Sequence, residues 1–270
     1  MSLGRPSIGR IIKDWRKGIR PGGEVVRYEL WAPRYAAIRA DLGYPFEREQ
    51  LAAAALERLL PERARGDPLP RLAPHLVGRD AIVVGLAPGA GPPPVWRLPA
   101  TTPPPAVLAA DGATRTCLSA GLVPSVVVTD LDGPVPAEVE ANGRGAFVVV
   151  HAHGDNVPAL ERWVPEFPGE LAGSWAGPPR DGLLDVGGFT DGDRAAYLAE
   201  ELGARRVLLW GFDQETVDEA DPAARERKRR KLQWAERLLE ELARDGRSPV
   251  LRWRRDGSLV QLGSASRSTR

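Results

Sequence analysis

The chain of 270 residues contains one cysteine, Cys117, and three histidines. A single cysteine excludes an intramolecular disulfide, and it excludes a zinc site built from several cysteines as well. No apolar run approaches the roughly 20 residues that a membrane helix needs. The first twenty residues are basic and broken by glycine, which is unlike a signal peptide. We therefore expect a soluble, cytoplasmic protein with no membrane partner.

The chain also lacks an excess of either charge, with 37 Lys and Arg against 36 Asp and Glu and a net charge of +1. Such a balance gives no global field that would steer the protein to nucleic acid, so nucleic acid is not an expected partner. A hydrophobic content of 43% excludes wholesale disorder. The length allows one large α/β domain and a smaller attachment, and a homo-oligomer is compatible with the sequence.

The first part of the chain, residues 1–75, lacks the alternation of short apolar runs and glycine that marks the rest. Helical patterns are predicted at 8–15 and 34–42, and a stronger, alanine-rich helix at 46–60 ends where a proline follows it. Three prolines within 66–74 indicate a linker. We interpret this part as a small helical segment whose aromatic residues pack against the main domain.

The main domain is predicted at residues 76–263, where short apolar runs alternate with helical patterns. This alternation predicts an α/β fold with a mostly parallel sheet flanked by helices, Rossmann-like in arrangement. Within the domain, 157–179 is interpreted as a short helix followed by an irregular segment. A long helix is predicted at 222–245 and a closing hairpin between 249 and 262. The tail, residues 264–270, is predicted to be disordered.

Three apolar runs in the middle of the chain have the length and β-branched content of buried strands: 107–110, 125–128 and 146–150. The polar residues that follow them are Asp111 after the first, Asp130 and Asp132 after the second, and His151, His153, Asp155 and Asn156 after the third. Because the carboxyl ends of parallel strands lie on one edge of a sheet, these clusters should converge on one crevice. A crevice lined by carboxylates needs compensating positive charge, which Mg²⁺ carried by a phosphate ligand would supply.

The spacing of Asp130 and Asp132 places both side chains on the same side if the strand geometry continues. Mg²⁺ is usually held by one or two carboxylates together with substrate phosphates and water, and the pair fits such a site. The alternative is an Asx turn, in which the carboxylates bond nearby backbone amides. Asp111 is either a β-turn residue or a contact to metal or substrate. Asp155 is the further metal ligand that we expect if the ion is Mg²⁺.

The two histidines after the third run leave several roles open. On a strand, His151 and His153 would face the same way and could chelate zinc or another transition metal. They could instead bind phosphate, hydrogen-bond to a heterocycle, or serve as structural polar residues at a strand end. Asn156 closes the same cluster and is a further candidate for ligand binding.

Two later segments place charged residues near the expected sheet edge. Thr190 to Asp193 fits a capping box, which gives Asp193 a structural role, and Asp191 stands at the first helical position after two glycines that permit close approach of a ligand. The long helix begins with cations, contrary to the helix dipole, and an anion there would resolve the conflict. Lys228 extends the buried stripe of this helix, and Lys231 lies beside it. Both are predicted to contact phosphate, with a solvated basic face as the alternative.

Six motifs occur in one order over about 125 residues. They are ADGAT (110–114), the run ending in TDLDG (121–133), HAHGDN (151–156), GGFTDGDRA (187–195), GFD (211–213) and KxxKLxWA (228–235). Together they resemble the archaeal 6-hydroxymethyl-7,8-dihydropterin pyrophosphokinase family, which is distantly similar to thiamine pyrophosphokinase. Arg194 stands where the thiamine enzymes have a lysine.

The resemblance implies a fold like that of thiamine pyrophosphokinase and the transfer of a diphosphoryl group from ATP to 6-hydroxymethyl-7,8-dihydropterin, an activity of pterin biosynthesis. In this reaction the hydroxymethyl oxygen attacks the β-phosphorus of ATP, and AMP leaves. The expected site residues are Asp130, Asp132 and Asp191 in catalysis, the first two with Asp111 or Asp155 as magnesium ligands, and Lys228, Lys231, Asp111, His151, His153, Asn156 and Arg194 in binding ATP.

Three other functions fit parts of the same pattern. Thiamine could be the acceptor in place of the pterin. The aspartates with His151 and His153 could form the transition-metal site of a phosphohydrolase. Finally, a noncatalytic nucleotide-binding module could use its basic helix to bind RNA or a protein partner.

Overall fold

The computed structural model describes residues 28–213 and 219–263, so the helix predicted at 8–15 and the tail at 264–270 lie outside the described residues. The helices are α1 (Tyr28–Leu42), α2 (Phe46–Leu59), α3 (Leu69–Leu76), α4 (Ala113–Ser119), α5 (Val135–Gly143), α6 (Val157–Trp163), α7 (Asp191–Glu201) and α8 (Pro222–Asp245). The strands are β1 (Asp80–Val84), β2 (Ala106–Ala110), β3 (Val126–Thr129), β4 (Phe147–His151), β5 (Leu171–Ser174), β6 (Leu183–Leu184), β7 (Arg206–Trp210), β8 (Val250–Trp253) and β9 (Leu259–Gln261). Single 3-10 turns are formed at Glu62–Ala64, Val95–Arg97 and Val164–Glu166.

These nine strands form one sheet in the order β6-β5-β4-β3-β2-β1-β7-β8-β9. Neighbouring strands are parallel except β8 and β9, which are antiparallel. The central strands are buried along their whole length, as expected of parallel strands covered by helices on both faces. The prediction of a mostly parallel α/β sheet flanked by helices is confirmed, and so are the long helix and the closing hairpin.

Side chains alternate between the two faces of the sheet and fill separate cores. On one face, Phe147 and Val149 of β4 pack with α1, α3, α7 and α8. On the other face, Val148 and Val150 pack with α2, α5 and α6. Cys117 lies in a smaller third cluster, where burial raises the pKa of its thiol to about 12. Among the described residues, no helix is both long enough and apolar enough to cross a membrane.

The described part of the N-terminal segment packs against the sheet through aromatic residues, as predicted. Trp31 and Tyr35 of α1 are buried, and their rings stack with centroids 5.8 Å apart. The indole nitrogen of Trp31 donates a hydrogen bond to the carbonyl of Ala176 over 2.9 Å. This packing places the turn between α1 and α2 over the carboxyl edge of the sheet.

Two sequence interpretations are wrong. The stretch interpreted as a linker at 66–74 overlaps α3. Pro70 stands in the first turn, where its missing amide has no intrahelical partner, and Leu72 and Leu76 are buried. The stretch interpreted as irregular within 157–179 contains β5. Its sequence is poor in β-branched residues, but Gly173 allows the side chain of Leu183 to come within 2.5 Å of where a Cβ would stand, so close packing decides the structure.

The order of the strands creates a ligand-binding position. The chain runs from β1 outward through β2 to β6, and then returns to the other side of β1 as β7. The carboxyl ends of β1 and β7 therefore flank a topological switch point, where open α/β sheets bind ligands. The acidic residues after β2 and β3 lie next to this point.

Candidate active site

The acidic residues that follow β2 and β3 come together at the carboxyl edge of the sheet. Asp111, Asp130 and Asp132 each offer a carboxylate oxygen, and these oxygens lie within 4.8 Å of one another. The Asx turn considered as the alternative is formed too, since the Asp132 amide donates to Asp130 Oδ1 over 3.2 Å. The turn therefore helps to position the cluster. A hard divalent cation such as Mg²⁺ prefers oxygen ligands of this kind.

Two residues with positive φ bend the chain so that the carboxylates meet: Asp111 at 44° and Leu131 at 68°. Thr129 joins the two turns, because its hydroxyl donates to Asp111 Oδ1 over 3.2 Å and accepts from the Leu131 amide over 2.9 Å. At Gly133 a Cβ would stand 2.1 Å from Asp111 Oδ2. Any other residue there would displace the carboxylate from the cluster.

The cluster concentrates negative charge in a partly buried place. Burial, followed by the charges of Asp130 and Asp111, raises the pKa of Asp132 to about 6, although Lys231 acts in the opposite direction. Asp191, at the start of α7, experiences the same surroundings: burial and then Asp130 and Asp111 raise its pKa well above the usual range. These carboxyl groups therefore favour binding of a proton or a cation.

A further carboxyl group beside the cluster, that of Glu138, was not predicted from the sequence. Glu138 on α5 is fully buried, and burial followed by the charge of Asp111 raises its pKa to about 9. At neutral pH it is protonated and can donate a hydrogen bond to the Asp111 carboxylate. The helical spacing indicated its burial, because Glu138 shares one face of α5 with Val135 and Ala141.

His151 is buried, and both of its ring nitrogens have partners. A guanidinium nitrogen of Arg194 lies 3.0 Å from Nε2, and because arginine only donates, Nε2 is the acceptor and Nδ1 carries the proton. Nδ1 then donates to the Ser174 hydroxyl over 3.1 Å. Burial and the Arg194 charge hold the pKa of His151 well below its usual range. His151 is thus neutral, with both ring nitrogens hydrogen-bonded within the protein, and its expected roles in binding ATP or a metal stay predictions.

His153 is the histidine that contacts the cluster. Its Nε2 lies 3.2 Å from Asp130 Oδ2, and its Nδ1 lies 2.6 Å from Asp155 Oδ1. Burial lowers the pKa of His153, but the hydrogen bond and charge of Asp130 outweigh burial and raise it. Asp155 is 71% exposed and faces His153. Asp155 therefore lies outside the cluster, where Asp111 is the third acid, and its expected role as a magnesium ligand stays a prediction.

Asn156 holds loops together. Its side-chain nitrogen donates to the carbonyls of Asp130 and His151, each over 2.8 Å, and its side-chain oxygen accepts from the His153 amide over 3.0 Å. These bonds occupy the side chain within the protein. Asn156 thus fixes the Asp130 turn against the end of β4, and its expected role in binding ATP stays a prediction.

The capping box predicted at the start of α7 is formed by Thr190 and Asp193. Burial raises the pKa of Asp193 to about 6, against the effect of its hydrogen bonds to Thr190 and the Phe189 amide. Gly188 was expected to permit close approach of a ligand. It is instead the backbone of Arg194 that approaches it closely, because a Cβ at Gly188 would stand 2.4 Å from the Cα of Arg194. Asp191 lines the cavity into which the acidic cluster opens.

The basic start of α8 reaches the site through one of its two lysines. Lys231 lines the cavity, whereas Lys228, one turn earlier, is exposed, contrary to the prediction that it extends the buried stripe. Among the described residues of α8, buried positions begin only at Ala235. The conflict with the helix dipole is relieved in part by Asp221, whose side chain caps the helix by accepting from the Ala224 amide over 2.7 Å.

The cluster opens into a cavity of about 150 Å³. The N-terminal segment contributes Tyr35, Tyr44 and Glu49 to its wall, and Phe189 comes from the turn before α7. The sequence indicated only that the tyrosines pack against the main domain, and it gave Glu49 no role. Their place at the site depends on where α1 and α2 dock, which no local pattern reveals.

A larger cavity, of about 350 Å³, opens at the switch point between β1 and β7. Three arginines at and after the end of β8, Arg252, Arg254 and Arg255, line it together with Asp213. Glu236 pairs with Arg252 over 2.6 Å. Positive charge therefore predominates in this cavity, whereas acids predominate in the first.

Fold and site together define an α/β protein with an acidic ligand site at the carboxyl edge of a mostly parallel sheet. Residues 66–219 match the sequence family described as 6-hydroxymethylpterin diphosphokinase MptE-like. The chain belongs to this family.

Three archaeal proteins named 6-hydroxymethyl-7,8-dihydropterin pyrophosphokinase are similar to the chain. The one from Methanothermobacter thermautotrophicus is 36% identical over 83% of this chain and 99% of its own length. The protein from Pyrococcus furiosus is 38% identical over 84% of this chain and 98% of its own length. The protein from Methanocaldococcus jannaschii is 31% identical over 68% of this chain and 78% of its own length. A solved MAf glycosyltransferase from Magnetospirillum magneticum aligns with 80% of this chain and 39% of its own, at 16% identity and a TM-score of 0.37.

Proposed function

We propose that the protein transfers a diphosphoryl group from ATP to the hydroxymethyl group of 6-hydroxymethyl-7,8-dihydropterin. The hydroxymethyl oxygen attacks the β-phosphorus and loses its proton, the bond from the β-phosphorus to the oxygen bridging it to the α-phosphate breaks, and AMP leaves with that oxygen. The observation that carries the proposal is the cluster of Asp111, Asp130 and Asp132 at the sheet edge of a chain that belongs to this family.

The donors of the cluster fit Mg²⁺. Three carboxylates provide hard oxygen ligands within a span of 4.8 Å, and Mg²⁺ is commonly held by such groups together with substrate phosphates. Asp111, Asp130 and Asp132 would hold the ion. When bound, magnesium would neutralise charge on the phosphates of ATP. The raised pKa of Asp132, caused by burial and by the two neighbouring acids, supports this assignment because such a site is stabilised by a cation.

The other polar residues of the cavity would position the reactants. Diphosphoryl transfer depends on positioning and charge neutralisation more than on covalent chemistry. Lys231, close enough to Asp132 to lower its pKa, would bind the polyphosphate. Asp191 would orient the hydroxymethyl group and accept its proton, because burial and acidic neighbours make its carboxylate more basic than an ordinary one.

The test is to incubate the purified protein with ATP, Mg²⁺ and a panel of hydroxymethyl heterocycles that includes thiamine, and to separate AMP from ADP. AMP formed with the pterin supports the proposal, and Asp130→Asn should form none while remaining folded. AMP formed with thiamine alone would move the chain to the runner-up acceptor. Phosphate release without an acceptor, together with tightly held zinc or manganese, would favour the phosphohydrolase.

A further inference from the structure

The acidic cavity has one wall that does not come from the family-matched part of the chain. Tyr35 lies on α1, Tyr44 in the turn between α1 and α2, and Glu49 on α2, all before residue 66. We propose that this wall forms the site for the acceptor heterocycle, in which Tyr44 stacks on the pterin ring and Glu49 accepts its N–H groups. The inference rests on the proposed function and specifies where its second substrate binds.

Tyr44 supplies an aromatic face. Its ring and that of Phe189 are half-buried, with centroids 6.3 Å apart and planes inclined by 39°. The guanidinium carbon of Arg227 lies 5.4 Å from the centroid of the Tyr44 ring. A partly exposed pair of rings in the wall of a cavity can stack against a flat heterocycle, as aromatic side chains do with nucleobases.

Glu49 supplies the hydrogen-bond acceptors. Its side chain is buried, its Oε2 accepts from the Tyr35 hydroxyl over 2.8 Å, and its Oε1 accepts from the Gly154 amide over 3.2 Å. A carboxylate has about four lone-pair sites, so about two remain. The 2-amino-4-oxopyrimidine ring of a pterin presents two adjacent N–H donors, which match the two oxygens of one carboxylate. The bonds to Tyr35 and Gly154 hold Glu49 in place for such a pair.

The difference in charge between the two cavities favours the pterin in the acidic cavity and the nucleotide in the arginine-lined cavity. Four acids line the cavity that contains Glu49, including Asp130, Asp132 and Asp191. A neutral ring rich in N–H donors suits these surroundings, whereas an anionic nucleotide is repelled wherever no cation intervenes. The arginine-lined cavity at the switch point suits the nucleotide. With its pyrimidine end at Glu49, the pterin directs its hydroxymethyl group toward Asp191 and the carboxylate cluster.

The experiment measures binding of 6-hydroxymethylpterin by calorimetry without ATP, and then the KM values for the dihydropterin and for ATP. Tyr44→Ala should weaken pterin binding by about tenfold or more, since it removes the stacking ring. Tyr44→Phe should restore binding, because the ring returns without the hydroxyl. Glu49→Gln should weaken binding as well. The KM for ATP should change by less than about twofold in each variant, since ATP is assigned to other residues.

Tyr28→Ala is the matched control, because Tyr28 begins α1 and is not part of the cavity wall. Thermal unfolding shows which variants are folded. If Glu49→Gln is unfolded, the Tyr44→Ala variant provides the test, because Tyr44 is only half-buried. Wild-type pterin binding in the folded Tyr44→Ala variant, or an equal rise in both KM values, overturns this inference and leaves the proposed function standing. A wild-type protein that neither binds the pterin nor forms AMP with it overturns both.

Discussion

Replacement of Asp132 by Asn is expected to stabilise the metal-free protein while abolishing turnover. The carboxylate oxygens of Asp132, Asp111 and Asp130 lie within 4.8 Å of one another. Two unit charges at such a separation repel by roughly 3 kcal/mol at an effective dielectric constant of about 20. Burial and this repulsion raise the pKa of Asp132 to about 6, so the ionised carboxylate destabilises the folded state. Asparagine keeps the size of the side chain and removes its charge.

The magnitude and its pH dependence follow from that pKa. The value of about 6 for Asp132 exceeds its usual 3.8 by about two pH units, and each unit corresponds to about 1.4 kcal/mol. Although neighbouring groups partly bury the carboxylate, Asp132 as a whole residue is exposed, so solvent screening reduces this figure. We expect a gain of about 1 kcal/mol in the free energy of unfolding. Between these two pKa values the folded state binds the proton more tightly than the unfolded state, so wild-type stability falls as pH rises through this window. The gain should be absent below about pH 4 and complete above about pH 6.

The assay is thermal unfolding at pH 4 and pH 7.5, in EDTA and in Mg²⁺, combined with AMP formation. At pH 7.5 in EDTA the variant should unfold about 2 to 4 °C above wild type. At pH 4 the variant and the wild type should unfold at the same temperature. It should lose the stabilisation by Mg²⁺ and about 100-fold or more of its turnover. Asp155→Asn, which alters an exposed aspartate outside the cluster, is the control. It should keep both the stabilisation by Mg²⁺ and the turnover of the wild type. An Asp132→Asn protein that is destabilised in EDTA at pH 7.5, or fully active, would refute the reasoning.

Three further predictions concern other residues. Lys231→Ala should raise the KM for ATP about tenfold or more, because it removes a charged donor from the cavity, whereas Lys228→Ala on the exposed face should change it less than about twofold; equal effects would contradict the assignment. Asn156→Ala should lower the free energy of unfolding in urea by about 2 kcal/mol through three lost hydrogen bonds, and unchanged stability would contradict its role. Asp80→Asn, at the opposite end of β1, should cost about 2 kcal/mol at pH 7. Burial raises the pKa of Asp80, but its two arginine partners outweigh burial and lower it. The difference in unfolding free energy between the wild type and the variant should therefore shrink as pH falls below about 4. A difference that does not depend on pH would count against the ion pairs.

The acidic cluster could be predicted from the sequence because its geometry follows from topology. Asp111, Asp130 and Asp132 each stand just after an apolar run, and parallel strands bring such positions to one edge whatever the details of packing. The capping box of Thr190 and Asp193 was equally accessible, since both partners lie within one helical turn. Patterns of this kind depend only on neighbours in sequence or on the direction of strands.

The remaining features depend on packing that the sequence does not encode locally. Asp155 and Asp111 both follow strands, but the positive φ of Asp111 turns it into the cluster, while Asp155 pairs with His153 and remains exposed. Glu49 reaches the site only because α2 docks beside the end of β4, where Gly154 lacks a Cβ that would stand 2.8 Å from the Cβ of the neighbouring arginine. Such contacts join segments that are distant in sequence, and periodicity does not reveal them.

Arg194 and His151 line the acidic cavity, and they also connect the segments that carry its acids. Its guanidinium group is buried and donates to the Gly187 carbonyl over 3.1 Å as well as to His151. His151 in turn holds β4 against β5 through Ser174, and the amide of Asn156 joins the carbonyls of His151 and Asp130. A continuous set of hydrogen bonds thus runs from the start of α7, which carries Asp191, to the turn that carries Asp130. Arginine suits this position better than lysine, because a planar group with several donors can bind both partners at once and stays charged when buried. Arg194 therefore connects the helix start that carries Asp191 to the turn that carries Asp130.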